Sequence, residues 1–232
     1  MTSRKKKALP GPEEKAGAVR DMFDAIAPRY DLVNRVMTFG MDLAWRKKAV
    51  RSLRPKPSDL IADVACGTGD FCREVQRAGS AAVGFDYSFG MLASARTSAP
   101  LVQADGLQLP LADASVDGVT CGFALRNVVD IAKLFGEFGR VLKPGGRVAV
   151  LEVSEPRSKV LRTGHHVYFH KIVPVVGGLL SDRDAYRYLP ESTAYLPPTH
   201  TLLDVMVAAG FTGVGSEPLA LGAAQLLTGQ KR

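Results

Sequence analysis

Two patterns of hydrophobic and polar positions alternate along the chain from residue 58 onward: short apolar runs, and stretches with apolar residues at helical spacing. Short apolar runs bounded by turn residues are typical of buried parallel strands, whereas apolar residues three or four positions apart indicate amphipathic helices. Apolar runs begin at Leu60, Ala81, Leu101, Val116 and Arg147. Strands that alternate with helices predict an α/β fold with a doubly wound, mostly parallel sheet.

The C-terminal part of the chain predicts two further strands. The runs 213–219 and 223–227 are separated by only a short connection, which favours an antiparallel hairpin at the edge of the sheet. Together with the five earlier runs they predict seven strands, of which the last is antiparallel.

The residues before the first strand have a different character. Residues 1–12 are basic and contain proline, and we expect them to be a disordered tail. Residues 13–57 predict a helical cover over the strand ends. Its first helix, from Glu13, should stop before Pro28, because proline removes a helical hydrogen bond. Asp42 should cap a second helix, and Ser88 should cap a later helix within the main domain.

A second irregular stretch interrupts the alternation at about 156–198. It is rich in aromatic residues, proline and glycine, and so long a stretch within a domain is usually functional. We interpret it as a lid inserted into a main domain that spans 58–232. Thr199 should cap the helix that follows the lid.

The most informative motif joins the first strand to the helix after it. Leu60 to Asp70 reads L-I-A-D-V-A-C-G-T-G-D, an apolar strand followed by the glycine turn Gly67-Thr68-Gly69. Glycines there permit positive φ and close approach of a ligand to bare backbone. This strand, glycine turn and helix predict the ligand-binding corner of a Rossmann-like sheet.

Acidic residues at three strand ends indicate which ligand this corner binds. Asp63 lies in the first strand, Asp86 ends the second, and Asp105-Gly106 follow the third. A dinucleotide fingerprint would need glycine or alanine at Cys72, and no G-K-[ST] is present to bind phosphates. Carboxylates repel a pyrophosphate but suit ribose hydroxyls, an ammonium and a sulfonium. The three acids therefore favour S-adenosylmethionine.

Composition narrows the class of protein further. A hydrophobic content of 46% and a charged content of 23% are ordinary globular values, while the net charge of +7 permits acidic partners. The longest apolar run, Ile172 to Leu180, is too short to span a bilayer, and no signal peptide is evident, so we expect a cytoplasmic protein.

His166 and His170 share a helix face but lack the H-E-x-x-H pattern, so no metal site is predicted. The cysteines are interpreted as small core residues: Cys66, Cys72 and Cys121.

Six motifs together carry a family resemblance. They are Y-D-x-x-N at Tyr30, D-x-A-C-G-T-G-D at Asp63, L-R-N-V-x-D at Leu125, L-K-P-G-G at Leu142, L-E-V-S-E-P at Leu151 and Y-x-Y-L-P-E-S at Tyr186. In these motifs the chain resembles the ubiquinone/menaquinone biosynthesis C-methyltransferases, which have a class I methyltransferase fold. The resemblance implies methylation of a ring carbon of a polyprenyl quinol, with demethylmenaquinol as the expected substrate and S-adenosylmethionine as the donor.

The candidate cofactor residues follow from the strand ends and from this resemblance. They are Asp63, Gly67, Thr68, Gly69, Asp86, Asp105 and Gly106.

The candidate catalytic residues are Arg126, Asn127 and Tyr30. Arg126 offers a fixed charge that could stabilise a phenolate, although a structural ion pair is the alternative role. Tyr30 could relay a proton or simply pack beneath a loop.

Other substrates and partners stay open at this level. Gly122 and Leu227 stand where the family commonly has serine and histidine, so another phenolic ring is an alternative substrate. A nucleic-acid methyltransferase is less favoured, because no [DNS]-P-P-[YFW] motif follows the fourth strand, and no nucleic-acid partner is expected. Because the expected substrate is a membrane lipid, we predict weak peripheral contact with the inner face of the cell membrane, through Val167 to Leu180 and Arg4 to Lys7. A homodimer is also considered.

Overall fold

A single mixed sheet forms the centre of the protein. The computed structural model describes residues 12–156, 158–168 and 191–232, together with Lys171, Val173, Val175, Gly178 and Tyr188. Within these residues the sheet contains β1 Leu60–Val64, β2 Ala81–Asp86, β3 Leu101–Gln103, β4 Val116–Gly122, β5 Leu142–Val153, β6 Phe211–Leu219 and β7 Ala224–Lys231. The strand order is β3-β2-β1-β4-β5-β7-β6, in which β7 runs antiparallel to β5 and β6 and the other neighbouring strands are parallel. The predicted seven-stranded sheet and its edge hairpin are confirmed.

Helices cover the sheet and its carboxyl-terminal edge. They are α1 Pro12–Met37, α2 Met41–Ser52, α3 Asp70–Arg77, α4 Phe89–Ala93, α5 Ile131–Val141, α6 Lys159–Val167 and α7 Thr199–Ala208. Two buried apolar clusters lie on the two faces of the sheet, with Phe135 and Phe138 of α5 in one and Phe71 and Val75 of α3 in the other. The three cysteines are free and buried in these layers, as predicted. The helices thereby fix the loops at the ends of β1, β2 and β4.

The prediction that the first helix stops before Pro28 was wrong. Helix α1 continues through Pro28 to Met37. Proline costs the helix one hydrogen bond, about 3 kcal/mol in an exposed helix. The apolar face of α1 continues past this point, because Ile26, Ala27 and Val33 are all buried in one cluster. Packing along this face outweighs the lost bond, so one long helix crosses the strand ends.

The predictions about helix caps had mixed outcomes. Ser88 caps α4, and its hydroxyl accepts a hydrogen bond from the Met91 amide. Asp42 does not cap α2, because Gly40 is the N-cap and the Asp42 carboxylate binds arginine side chains instead. Thr199 is the first residue of α7 rather than its cap, and its hydroxyl donates to Gln225. In both failures a tertiary partner competes for the predicted capping group.

Several sequence predictions concern residues outside the described part of the chain. These are the basic tail at 1–11, His170, Tyr186 and most of the lid between 169 and 190. Tyr188 is described, and its contact is given below. No helix among the described residues is both long and apolar enough to cross a membrane.

Candidate active site

A cleft opens at the carboxyl ends of β1, β2 and β4, with about 1010 Å³ of space. Parallel sheets of this type bind ligands at this edge, beside the point where the strand order reverses. The predicted residues Gly67, Asp86, Asp105 and Gly106 all line the cleft. Helix α1 forms its roof through Ala16, Val19, Arg20, Phe23 and Tyr30.

The glycine turn presents bare backbone to this cleft. Gly67 has a φ of +55°, and a Cβ atom built there would meet no other atom within 4 Å. The Gly67 amide donates to Asp86 Oδ2 over 2.8 Å, and the Ser88 amide donates to Asp86 Oδ1 over 2.8 Å. These two bonds hold the carboxylate in place at the end of β2. Each oxygen keeps a further lone pair, so Asp86 can accept hydrogen bonds from both hydroxyls of a ribose.

Burial is the main influence on the Asp86 carboxyl, and it raises its pKa above the ordinary value. The two backbone amides that donate to the carboxylate oppose this rise, because they stabilise the charged form. A partly desolvated carboxylate with free lone pairs gains more from a new hydrogen bond than an exposed one does.

The far side of the cleft is suited to a flat base. Asp105 Oδ1 accepts the Leu107 amide over 2.9 Å, which orders the loop after β3. Apolar side chains line the space beside it: Val64, Leu107, Val128 and Leu134. A ribose acceptor, bare glycine backbone and an apolar slot are the features that an adenosine-containing sulfonium requires, so the residues present fit S-adenosylmethionine.

Three predicted cofactor residues do not line the cleft. Asp63 is fully buried in the core, where it accepts from Thr120 Oγ1 over 2.9 Å, and burial raises its pKa to about 7. Thr68 is buried and donates to Asp31 of α1. Gly69 is the N-cap of α3 at φ +83°, and a Cβ there would lie 2.6 Å from the Thr97 methyl carbon. The Asp63 side chain faces Thr120 and Cys72 in the core, and the parts of Asp63, Thr68 and Gly69 in binding the cofactor stay predictions.

Ion pairs fasten the two N-terminal helices to the start of α3. Arg35 Nη2 donates to Asp70 Oδ1 over 2.8 Å and to Asp70 Oδ2 over 2.7 Å. The same carboxylate also binds Arg46 and Arg73. Arg35 and Arg46 both bind Asp42 as well. The arginines hold the pKa of Asp70 below its ordinary value although burial opposes them. The network joins the cover directly to the glycine turn.

A second, mostly apolar cavity adjoins the cleft. Tyr30 and Phe123 line both spaces, so they stand between the cofactor cleft and this cavity. Its walls come from α1, α2, the end of β5 and the β6–β7 connection, and include Met37, Phe39, Met41, Trp45, Val153 and Ala220. The cavity therefore offers an apolar site next to the expected position of the methyl group.

Two of the three predicted catalytic residues share a short 3-10 turn, Leu125–Asn127, directly after β4. Asn127 lines the cleft and accepts from the Tyr188 hydroxyl over 3.3 Å, whereas Arg126 lines the apolar cavity. The Arg126 guanidinium pairs with the Glu152 carboxylate, and both side chains are buried. Desolvation is the largest influence on Tyr30 and raises the pKa of its hydroxyl. Arg126, Asn127 and Tyr30 therefore meet at the junction of the two spaces.

Sequence reasoning did not select Glu152 or Phe123 as site residues. Glu152 belongs to the L-E-V-S-E-P motif at the end of β5, which was a signal for it. Phe123 has a φ of +58°, a conformation that its residue type does not predict. Among the described residues, no group of three His, Cys, Asp or Glu side chains could hold a metal ion.

The two departures from the family pattern have different positions. Leu227 is fully buried in the core and lines neither space. Gly122 lines the cleft, and a Cβ there would lie 2.8 Å from the Phe71 ring. The close approach of this ring explains glycine at position 122.

Comparison with known proteins now decides the family. Residues 11–231 match the model of the ubiE/COQ5 methyltransferase family. The chain belongs to this family. The demethylmenaquinone methyltransferase of Roseiflexus sp. strain RS-1 is 42% identical over 97% of this chain and 98% of its own length. That of Thermus thermophilus is 43% identical over 90% of this chain and its own full length. The UbiE protein of Geotalea daltonii is 40% identical over 94% and 98%.

Solved structures agree on the fold. A SAM-dependent methyltransferase from Thermotoga maritima matches with a TM-score of 0.65 and 22% identity, over 92% of this chain and 99% of that one. Phosphoethanolamine N-methyltransferase 2 of Haemonchus contortus, in complex with S-adenosyl-L-methionine, matches with a TM-score of 0.59 and 15% identity, over 80% and 52%. The protein has the class I methyltransferase fold. As a ubiE/COQ5 methyltransferase, it uses S-adenosyl-L-methionine as its cofactor.

Proposed function

We propose that this methyltransferase transfers a methyl group to a ring carbon of a polyprenyl quinol, converting demethylmenaquinol to menaquinol in menaquinone biosynthesis. The observation that carries the proposal is the apolar cavity that meets the cofactor cleft at Tyr30 and Phe123. A quinol has a flat aromatic ring and an apolar tail, which match the aromatic and aliphatic lining of this cavity. The names of the relatives support the same substrate.

The chemistry places two demands on the protein. S-adenosylmethionine supplies an electrophilic methyl group on its sulfonium. A ring carbon attacks it well only after the neighbouring hydroxyl ionises, so the protein must stabilise a phenolate and align the ring. As the ring carbon bonds to the methyl group, the S–CH3 bond breaks and S-adenosylhomocysteine leaves; the methylated ring carbon then loses its proton to solvent, which restores the aromatic quinol. Arg126 borders the cavity and carries a permanent charge, which favours the ionised form of a ring hydroxyl beside it.

The remaining candidate residues fit roles in alignment. The Tyr30 side chain, held in the cleft roof, limits how the ring can lie between the two spaces. Asn127 lies on the cleft side of the same turn, where its amide can orient a ring oxygen. Holding reactants in a near-attack geometry lowers the barrier to such a displacement.

The substrate's lipid nature leads us to propose peripheral contact with the cytoplasmic face of the membrane. Two large apolar side chains are exposed beside the apolar cavity: Phe39 is 77% exposed and lines it, and Leu221 is 78% exposed and follows Ala220, which lines it. Their position suits entry of a prenyl chain from a bilayer. The homodimer stays a prediction, for which light scattering of the purified protein is the test.

The proposal is tested by incubating the protein with labelled S-adenosylmethionine and a panel of acceptors. The panel contains demethylmenaquinol, a demethylubiquinol-type benzoquinol, a simple phenol without a prenyl chain, and transfer RNA. We expect label in the naphthoquinol, at a rate that falls when the prenyl chain is removed. Faster labelling of an unprenylated phenol or of RNA would contradict the proposed substrate.

A further inference from the structure

The side chain of Glu152 is held entirely inside the protein, directly beneath the turn that carries Arg126. Glu152 is 0% exposed at the end of β5, and its carboxylate makes three contacts. Oε1 accepts from Arg126 Nη1 and from the Val153 amide, the latter over 2.8 Å. Oε2 accepts from the Arg126 backbone amide over 3.3 Å. One carboxylate thus binds both the main chain and the side chain of a single residue.

Arg126 is only partly satisfied by this arrangement. Its Nε–H is buried and has no hydrogen-bond partner among the described residues. A buried donor without an acceptor is costly, and such donors usually have a reason that the unliganded protein does not show. Because Arg126 also lines the apolar cavity, an oxygen of a bound substrate is the acceptor that would compensate this cost.

We propose that Glu152 is a positioning residue for methyl transfer: it orients the Arg126 guanidinium toward the substrate oxygen and moderates its positive charge. This proposal rests on the proposed function. A free guanidinium in an apolar cavity would be poorly oriented, and a fully paired one would contribute little to a phenolate. Glu152 binds one side of the guanidinium, and Nε has no hydrogen-bond partner in the part of the chain that the structure describes, so the geometry provides orientation and a remaining donor together.

Other charged and titratable groups act electrostatically on this pair from the surrounding elements. Burial and the nearby charges of Asp63, Glu152 and Asp86 all raise the pKa of the Cys121 thiol, so it stays neutral. Arg126 opposes the rise in the hydroxyl pKa of both Tyr30 and Tyr188, which shows that the two phenols lie within its field. The groups coupled to the pair are Tyr30 of α1 and Tyr188, which lie within the field of Arg126, and Cys121 of β4, which lies within the field of Glu152. Arg46 of α2 lines the same cavity as Arg126.

Two substitutions separate the effect of the Glu152 charge from the effect of its side-chain length. Glu152→Gln keeps the length but removes the negative charge, which increases the positive potential of Arg126 at the substrate. A phenol beside it should then ionise at lower pH, by about one pH unit, and the plateau of kcat should fall about tenfold. Glu152→Asp keeps the charge but shortens the side chain, so the plateau should fall while the midpoint of the kcat profile stays in place.

The readouts are kcat against pH with demethylmenaquinol, and a titration that needs no turnover. In the second, 4-methoxy-1-naphthol, a monoether of the naphthoquinol ring, is bound to the protein with S-adenosylhomocysteine, and its ionisation is followed by absorbance. The acid shift should appear with Glu152→Gln in both. The matched control is Glu217→Gln, because Glu217 is an exposed carboxylate on β6 that pairs with Lys48. This variant should change neither the kcat profile nor the naphthol titration.

The outcomes distinguish the two proposals. A wild-type protein that is inactive on the quinol, with the naphthol shift present, overturns the proposed substrate but supports the positioning role. Unchanged midpoints in both variants, with lower melting temperatures only, would show that Glu152 is structural. If Glu152→Gln does not fold, the double variant Arg126→Met/Glu152→Gln should recover folding, because it removes both charges of the buried pair. In that case the kcat profile of Glu152→Asp decides the role: a lower plateau at an unshifted midpoint supports it, and an unchanged plateau contradicts it.

Discussion

Replacing Asp86 by alanine should weaken cofactor binding strongly. The wild-type carboxylate is oriented by the Gly67 and Ser88 amides, each over 2.8 Å, and is left with lone pairs that face the cleft. Two hydrogen bonds from ribose hydroxyls to a carboxylate contribute about 1.5 to 3 kcal/mol each, and part of this is offset by the cost of desolvation. A net loss of about 3 kcal/mol corresponds to a Kd raised about 100-fold.

Isothermal titration calorimetry with S-adenosylmethionine measures this change directly. Asp86→Asn, which keeps one oxygen acceptor, should raise the Kd by about tenfold. The matched control is Asp117→Ala, whose carboxylate also accepts a backbone amide, from Leu60, but outside the cleft lining. The control should lower the melting temperature and leave the Kd unchanged. An equal Kd for Asp86→Ala and wild type would refute the assignment of Asp86 to the ribose.

Four further predictions follow from the site and its surroundings. Arg126→Met should lower kcat about 10²- to 10³-fold with little change in cofactor Kd, and Arg126→Lys should recover only part; a lower melting temperature with unchanged kcat would make Arg126 structural. Phe39→Ser should reduce flotation of the protein with anionic vesicles, and equal flotation would exclude Phe39 from the contact. Gly122→Ala should lower the free energy of unfolding by about 1 to 3 kcal/mol in urea, because its Cβ would meet Phe71 at 2.8 Å; no change would mean that the ring moves freely. Burial raises the pKa of Asp63 to about 7, so the native state retains a proton that the unfolded state releases near the ordinary value of 3.8. The contribution of Asp63 to the free energy of unfolding should therefore fall by up to about 4 kcal/mol as the pH rises from 3.8 to about 7, and Asp63→Asn should abolish this fall. Urea unfolding of both proteins across this pH range measures the difference, and parallel curves would contradict it.

The sheet was predictable because its strands are buried on both faces. Such strands read as continuous apolar runs, and the turn at Gly67 marks the corner where a ligand binds. Asp86 and Asp105 were predictable for the same reason, since each follows a strand whose carboxyl end must reach one common edge.

The cover was harder to predict because its structure depends on partners distant in sequence. Pro28 lies inside a helix that its own residue type disfavours, since the apolar face around it is buried. Asp42 reads as a helix cap, but it binds Arg35 and Arg46 in a network that reaches Asp70. Local propensity cannot reveal the pairs of Arg35, because they form only when α1 packs against Asp42 of α2 and Asp70 of α3.

Strand alternation explains why only some of the acidic residues reach the cleft. Successive side chains of a strand point to opposite sides, and in β1 the side chain of Val64 lines the cleft while that of Asp63 enters the core. Glu152 shows the reverse case: it belongs to the L-E-V-S-E-P motif but was not predicted as a site residue, and it lies beneath the Leu125–Asn127 turn because β4 and β5 are neighbours.

The position of the transferred methyl group tests the central claim most directly. The protein is supplied with S-adenosylmethionine that carries a carbon-13-labelled methyl group, together with demethylmenaquinol under reducing conditions, and the lipid product is examined by carbon NMR and mass spectrometry. We predict one labelled methyl group per molecule, bonded to a ring carbon, with the chemical shift of an aryl methyl. A labelled methoxy group, or no label in the quinol while the cofactor still binds, would contradict ring-carbon methylation at the junction of the two spaces.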